Sequence, residues 1–373
     1  RESLGHRGSD AFAAWQTGVG AYEGAYPELA AELRRAIAGE LPEGWDRDLP
    51  VFEASEKGMA TRKASGDVLA ALAGKVPNLV GGSADLAGSN LSFQKGLPEF
   101  QDHDGAGAPR NVHWGIREHG MASAVNGMAL HGGVIPYGAT FLIFADYMKP
   151  ALRLSALMGV PSRFIFSHDS VGLGEDGPTH QPVEQLASLR MIPGFCVLRP
   201  GDANETREAW KVFLSRKGPT ALVLTRQNLP TLDRTEVASA EGLHRGAYVL
   251  AEASAEPSVI LIATGSEVPL ALAARDKLEN SGTPTRVVSM PSWELFEAQG
   301  QDYRDEVLPP KVTARVAIEA GCRFGWEKWV GTHGGFVTID RFGASAPFET
   351  IFEKFGFTPD AVAAEAKRVL ALS

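Results

Sequence analysis

The chain has 373 residues, 44% of them hydrophobic and 22% charged, and carries a formal charge of −9, which allows two domains with buried cores. The acidic balance and the lack of a clustered Lys/Arg stripe exclude a nucleic-acid footprint, and no apolar run reaches membrane-spanning length. Cys196 and Cys322 lie far apart without a CxxC pair, and no HExxH spacing occurs, so the expectation is no metal ligands and a reducing, cytoplasmic setting.

From the N-terminus, Arg1-Glu2-Ser3-Leu4-Gly5 shows no signal-peptide core, which supports that expectation. Residues 9–41 have helical spacing in Phe12, Trp15, Val19 and Tyr22, then Leu29, Leu33 and Ile37, with Pro27 starting a second helix. Residues 1–50 therefore read as a helical arm. From Ala60 helices and strands alternate: a helix over 60–73, a strand at Asn78–Gly81, and a helix from Glu118 that turns Met121, Val125, Met128 and Leu130 inward. Apolar runs at 162–166, 195–198 and 220–224 alternate with helices near 145–158, 183–190 and 203–215. Asn228–Asp233 reads as a linker. Beyond it, strands at Ser258–Ala263, Arg286–Ser289 and Ala314–Glu319 are followed by helices over 266–281 and 359–371. The predicted fold is α/β: two domains, 51–235 and 236–373, each a mainly parallel sheet flanked by helices.

Chemistry concentrates in four strings. SHDSVGLGEDGPTHQP (167–182) packs two histidines, three carboxylates and three glycines behind the apolar run Ser162–Phe166, the usual place for function in an α/β protein. Its Gly172-x-Gly174-x-x-Gly177 imitates a dinucleotide fingerprint, but Pro178 and Pro182 delay the helix that would hold a pyrophosphate. GIREHGM (115–121) puts Glu118 at a helix start, where the macrodipole alone would favour it. GGSADLAGSN (81–90) follows a strand and is either an anion-binding loop or a plain turn. Phe141, Phe144 and Tyr147 stand at i, i+3 and i+6, a spacing commoner in cores than in cofactor pockets. Thr61-Arg62-Lys63 and Thr225-Arg226-Gln227-Asn228 are short basic signals, with Arg226 directly after a strand. Ala263-Thr264-Gly265-Ser266-Glu267 reads as a structural strand-to-helix turn with a good cap.

Together with TRKAS (61–65), TRQN (225–228), ATGSE (263–267) and VSMPS (288–292), these strings resemble transketolases over nearly the whole chain. Transketolases are thiamine-diphosphate enzymes that move two-carbon ketol units between sugar phosphates. The resemblance implies a pyrimidine-binding domain followed by a C-terminal domain. It does not extend to the family's N-terminal domain, which holds the cofactor diphosphate through Mg²⁺ and is marked by GDG; Pro200-Gly201-Asp202-Ala203 is the nearest string here.

Carried over by position, the resemblance implies Glu118 against N1′ of the aminopyrimidine, Phe141, Phe144 and Tyr147 around that ring, and Asp85 and Leu86 against the cofactor's middle. Arg62, Ser89, His168 and Arg226 would hold the sugar phosphate, Asp176 a donor-sugar hydroxyl, and His180 the reacting carbonyl and its neighbouring hydroxyl. It further implies a homodimer, with the cofactor across the interface, and a diphosphate-binding domain or subunit as partner. Without that half, the chain is expected to have little or no activity.

Two other readings compete. The β subunit of a 2-oxo acid dehydrogenase shares the arrangement, but leaves the Arg62, Ser89, His168 and Arg226 set unexplained; 1-deoxyxylulose-phosphate synthase is disfavoured by THQP and by the 81–90 loop. A non-catalytic dimerisation module would have no need of the ionisable groups Glu118, Asp176 and His180.

Overall fold

The protein is described by a computed structural model that covers residues 2–100 and 108–372. Helices Glu2–Ala25 and Pro27–Ile37 form the N-terminal arm, with Pro27 in the first turn of the second. Phe12, Trp15, Leu29 and Ile37 remain exposed on it.

The first unit begins with β1 (Ser55–Ala60) and continues through β2 (Leu79–Ser83), β3 (Ile135–Phe141), β4 (Arg163–Ser167), β5 (Cys196–Leu198), β6 (Thr220–Leu224) and β7 (Asn228–Thr231). Five of these strands make a parallel sheet in the order β2-β3-β4-β6-β5. Both faces are buried, so its strands are largely apolar and their side chains alternate between two cores. Ile165, Leu222 and Leu224 pack with Val68, Leu72, Trp210 and Phe213 on one side. Phe164, Phe166 and Val223 pack with Met121, Val125, Met148 and Leu152 on the other. Helices Thr61–Ala73 and Ala203–Ser215 thus cover one face, and Glu118–His131 and Ala145–Met158 the other.

The second unit adds β8 (Tyr248–Ala251), β9 (Val259–Ala263), β10 (Thr285–Ser289), β11 (Arg315–Ile318) and β12 (Gly335–Val337) in the order β12-β11-β9-β10-β8, parallel except for β8. The fold class is therefore the predicted one: α/β, two mainly parallel sheets flanked by helices, after a helical arm.

Several local expectations need correction. Asn228–Asp233 is not a free linker: β7 pairs antiparallel with β1. Leu130 is 66% exposed, because it lies about 140° around the helix from Val125, off the stripe set by Met121, Ala122 and Val125. The aromatic stripe is not one helix; Phe141 ends β3, Phe144 closes a 3₁₀ turn and Tyr147 lies in the following helix. Thr264 does not cap its turn with its side chain, and its hydroxyl donates instead to the Arg199 carbonyl at 3.2 Å.

That last bond belongs to the joint between the units. The Arg199 guanidinium, fully buried, meets Asp169 at 2.8 Å and Glu267 at 2.6 Å. Arg190 forks onto Glu319 with bonds of 2.9 and 2.8 Å, and the Trp326 indole donates to the same carboxylate at 2.8 Å. Burial pushes the Glu267 carboxyl up, while its neighbours hold the Arg199 guanidinium protonated against the same burial.

Candidate active site

Ligands in parallel α/β sheets bind beyond the carboxyl ends of the strands. Here β2, β3, β4 and β6 are consecutive neighbours, and they end at Ser83, Phe141, Ser167 and Leu224. The residues just past them are therefore brought to one edge: Asp85 to Asn90, Phe144, His168, and Arg226. Arg62 joins them because Thr61 and Thr225 are bonded reciprocally, each backbone N–H donating to the other's hydroxyl at 3.0 and 2.7 Å. Each threonine then hands on an arginine.

Arg62 donates from Nη1 to the carbonyl of Ser89 at 2.7 Å. Its guanidinium is half-buried and pushed down from its ordinary value, first by burial, then by the charge of Arg226; Asp176 acts in the opposite sense. Two cations kept close without an intervening carboxylate bond form an anion-binding arrangement. The Gln227 amide next to Arg226 is buried, and both its polar atoms lack a partner among the described residues. A cavity of about 770 Å³ opens here, lined by Arg62, Arg226 and Gln227 from the first unit and by Ser266, Phe348 and Glu349 from the second.

His168 is buried with a backbone φ of 60°, a left-handed conformation uncommon outside glycine. Its ring stacks on Phe141, centroids 3.6 Å apart. Burial, then the charges of Arg62, Arg226 and His180, push its pKa down to about 3, so it is neutral. Phe141 stacks in turn with Phe144 at 5.9 Å, and His180 sits edge-on to both at 6.2 and 5.7 Å. Tyr147 follows Phe144 at 6.2 Å and is 66% exposed. The aromatic trio, both histidines, both arginines and Asp176 thus form one continuous cluster. Ser89 reaches it through its backbone carbonyl.

Glu118 opens the helix that lies on β3, with Met121 so close that a Cβ on Gly138 would stand 2.9 Å from its Cγ. The helix runs antiparallel to β3, which carries Glu118 towards the end where Phe141 lies. The carboxylate is nearly buried and makes no hydrogen bond or ion pair among the described residues. Asp85 is exposed, in a left-handed conformation with φ 61°, and Leu86 beside it is half-buried. An aromatic heterocycle with a ring nitrogen suits this set: stacked rings, a partly open tyrosine and an unpartnered carboxylate at one strand edge.

Sequence reasoning missed Ser83, Asn90, Ser167 and Gln227. The first three join residues up to 77 positions apart, and no local pattern marks such bonds. It also missed that the second unit closes the cavity with Ser266 and Phe348.

Residues 57–231 match the family described as "Transketolase, pyrimidine binding domain", and residues 246–358 that described as "Transketolase-like TK C-terminal domain". The chain belongs to the transketolase family. It is 53% identical over 370 residues to a transketolase of Halalkalibacterium halodurans, an alignment covering 99% of this chain and 55% of that protein. A transketolase of Pichia stipitis, solved in complex with sedoheptulose 7-phosphate, is 42% identical with a TM-score of 0.92, over 98% of this chain and 54% of that one. A second structure, described as a split-gene transketolase in an inactive β4 tetramer, is 26% identical with a TM-score of 0.68, over 84% of this chain and 99% of its own. The chain thus spans about half the length of the full transketolases it matches. Among its described residues no helix is long and apolar enough to cross a membrane.

Proposed function

We propose that this chain supplies the pyrimidine and substrate-phosphate half of a thiamine-diphosphate site that transfers a two-carbon ketol unit from ketose to aldose phosphates. The observation that carries the reading is one sheet edge bearing both an arginine pair with a neutral histidine and an aromatic wall beside an unpartnered glutamate. When bound, the cofactor would supply a carbon nucleophile for the substrate carbonyl.

Glu118 would hold a proton at N1′ of the aminopyrimidine, its low exposure strengthening that bond. Phe141, Phe144 and Tyr147 would fix the ring by stacking, and Asp85 and Leu86 would border the cofactor's middle. The Arg62 and Arg226 guanidinium groups, with Ser89 and the neutral His168, would hold the sugar phosphate and so set how far the carbonyl reaches. Asp176 would accept a bond from a sugar hydroxyl. His180, held by its Nδ1 contact with the Thr179 hydroxyl at 2.9 Å, would move the proton at the reacting carbonyl and its adjacent hydroxyl.

In this reading the diphosphate and Mg²⁺ are held by a further half, as a separate polypeptide or as more of the same one. Residues 51–235 are the pyrimidine-binding unit and 236–373 the C-terminal unit. A homodimer is supported by the apolar side chains left outside, Leu130, Tyr147, Leu154 and Leu157, on two neighbouring helices. The description of the split-gene relative as inactive supports the expectation that the chain alone turns over little or nothing.

The test is an assay of the chain mixed with a diphosphate-binding half, thiamine diphosphate and Mg²⁺, with xylulose 5-phosphate or pyruvate as donor. Ketol transfer from the sugar phosphate, lost at least a hundredfold in Glu118→Gln, is expected. Turnover of pyruvate alone would favour an oxo-acid dehydrogenase subunit. An unaltered rate in Glu118→Gln would favour a non-catalytic module.

A further inference from the structure

Behind the arginine cluster lies a buried hydrogen-bond relay. Asn90 is 1% exposed, and its Nδ2 lies 3.0 Å from the Thr140 carbonyl and 2.7 Å from Ser167 Oγ. A carbonyl oxygen only accepts, so the Asn90 atom facing it must be the amide nitrogen, whichever way the side chain might otherwise be turned. Its Oδ1 then faces the Ser83 hydroxyl, 2.5 Å away, whose hydrogen it shares with the Ala139 carbonyl at 2.9 Å. The second Nδ2 hydrogen goes to Ser167 Oγ, which is fully buried and has one further partner among the described residues, His168 Nδ1 at 2.8 Å. A serine hydroxyl has one hydrogen, and an amide NH₂ cannot accept it. It must therefore be donated to His168 Nδ1, which has to be bare.

We propose that Asn90 and Ser167 are positioning residues that lock His168 in the neutral tautomer carrying its hydrogen on Nε2. Three independent features agree. The backbone at His168 has a positive φ that few residues other than glycine adopt, so the surrounding contacts must hold it there. The Phe141 stack holds the ring plane. The charged and titratable groups around the ring, Arg62, Arg226 and His180, all disfavour a charge on it, while Asp176 acts on Arg62. Without the relay, a neutral imidazole could place its hydrogen on Nδ1 and present a lone pair from Nε2, which would repel an anionic oxygen. With it, Nε2–H is a donor in every copy. Its value as a phosphate donor rests on the function proposed above; the lock itself does not.

The decisive measurement is a long-range ¹H–¹⁵N correlation spectrum of the full chain with ¹⁵N-labelled histidine at neutral pH, with His168 assigned by its loss in His168→Gln. A protonated Nε2 and a bare Nδ1 are expected. Ser167→Ala should replace this with a tautomer mixture. Asn90→Asp, which turns the donor to Ser167 into an acceptor, should move the hydrogen towards Nδ1. An Nδ1–H or imidazolium signature in the unaltered chain overturns the lock, even if neither variant folds; so does a pure Nε2–H tautomer that survives Ser167→Ala. Titration with inorganic phosphate separates the two readings: an Nε2 response, with binding roughly tenfold weaker in Ser167→Ala, supports both. The expected tautomer without any phosphate response leaves the lock standing and sinks the phosphate assignment.

Discussion

A neutral His168 has a thermodynamic consequence. Its folded pKa of about 3 lies below the 6.5 it would have unfolded. As pH falls through 6.5 the unfolded chain takes up a proton that the folded chain refuses, so stability is lost from there down to about pH 3. At about 1.4 kcal/mol per pH unit below 6.5, lowering the pH from neutrality to 5 should cost about 2 kcal/mol. Glu208 acts in a separate window. Burial would raise its carboxyl, but His244, Lys211 and Arg207 hold it down to about 2, so its contribution persists above 4.5 and fades only towards pH 2. Denaturant unfolding between pH 7 and 5 should accordingly show the His168 slope, and His168→Gln should flatten it. An unchanged slope would mean that the imidazole is not held neutral. The type of residue at 168 was readable as a motif member; its charge state was not, because it is set by burial and by the charges of Arg62 and Arg226, brought from far along the chain.

Glu118 owes its place to elements rather than to its neighbours in sequence. The segment leading to its helix is stitched to the edge of β2: Gly81 N–H donates to the Arg110 carbonyl and Val112 N–H to the Gly81 carbonyl, both at 2.9 Å. Gly82 leaves room for this approach, since a Cβ there would stand 1.9 Å from the Val112 carbonyl oxygen. Backbone cannot yield as a long side chain can, so Gly82→Ala should lower the unfolding free energy by about 3 kcal/mol. The same change at Gly88, where a Cβ would meet nothing within 4 Å, should cost under about 1 kcal/mol in the same denaturant titration. Equal effects would show that the close approach is not what requires glycine. The longer helices and most strands were legible from apolar periodicity, but β3, β8, β12 and the short helices of the second unit were not. Nor were β1 and β7, because Ser55–Ala60 and Asn228–Thr231 are short and mixed in polarity, and become strands only by pairing with each other.

At the scale of the molecule, the two units are joined by buried charge. Arg199 stands between Asp169 and Glu267, all three side chains wholly buried, and the first of those carboxylates is the residue after His168. Removing the cation would strand two carboxylates in a dry interior, so Arg199→Met should cost about 3–5 kcal/mol. Lys311→Met, which breaks a pair with Glu256 whose side chains are each 69% exposed, should leave the unfolding midpoint nearly unchanged. Chemical denaturation of both variants checks the contrast, and comparable losses would remove the joint from the account of how the cavity between the units is held.

By itself the sequence determined the α/β class, the helical arm, the family, and the kinds of residue available for chemistry. Those properties are carried by local periodicity and by short strings whose members sit within a few positions of one another. Only the tertiary structure decided which of those residues meet. The convergence of Arg62, Phe141, His168 and Arg226 depends on strand order β2-β3-β4-β6, and the wiring of Asn90 through Ser167 to His168 depends on where single hydrogens can go. Strand order and proton placement are set by long-range packing and by the satisfaction of buried polar groups, and neither leaves a periodic trace along the chain.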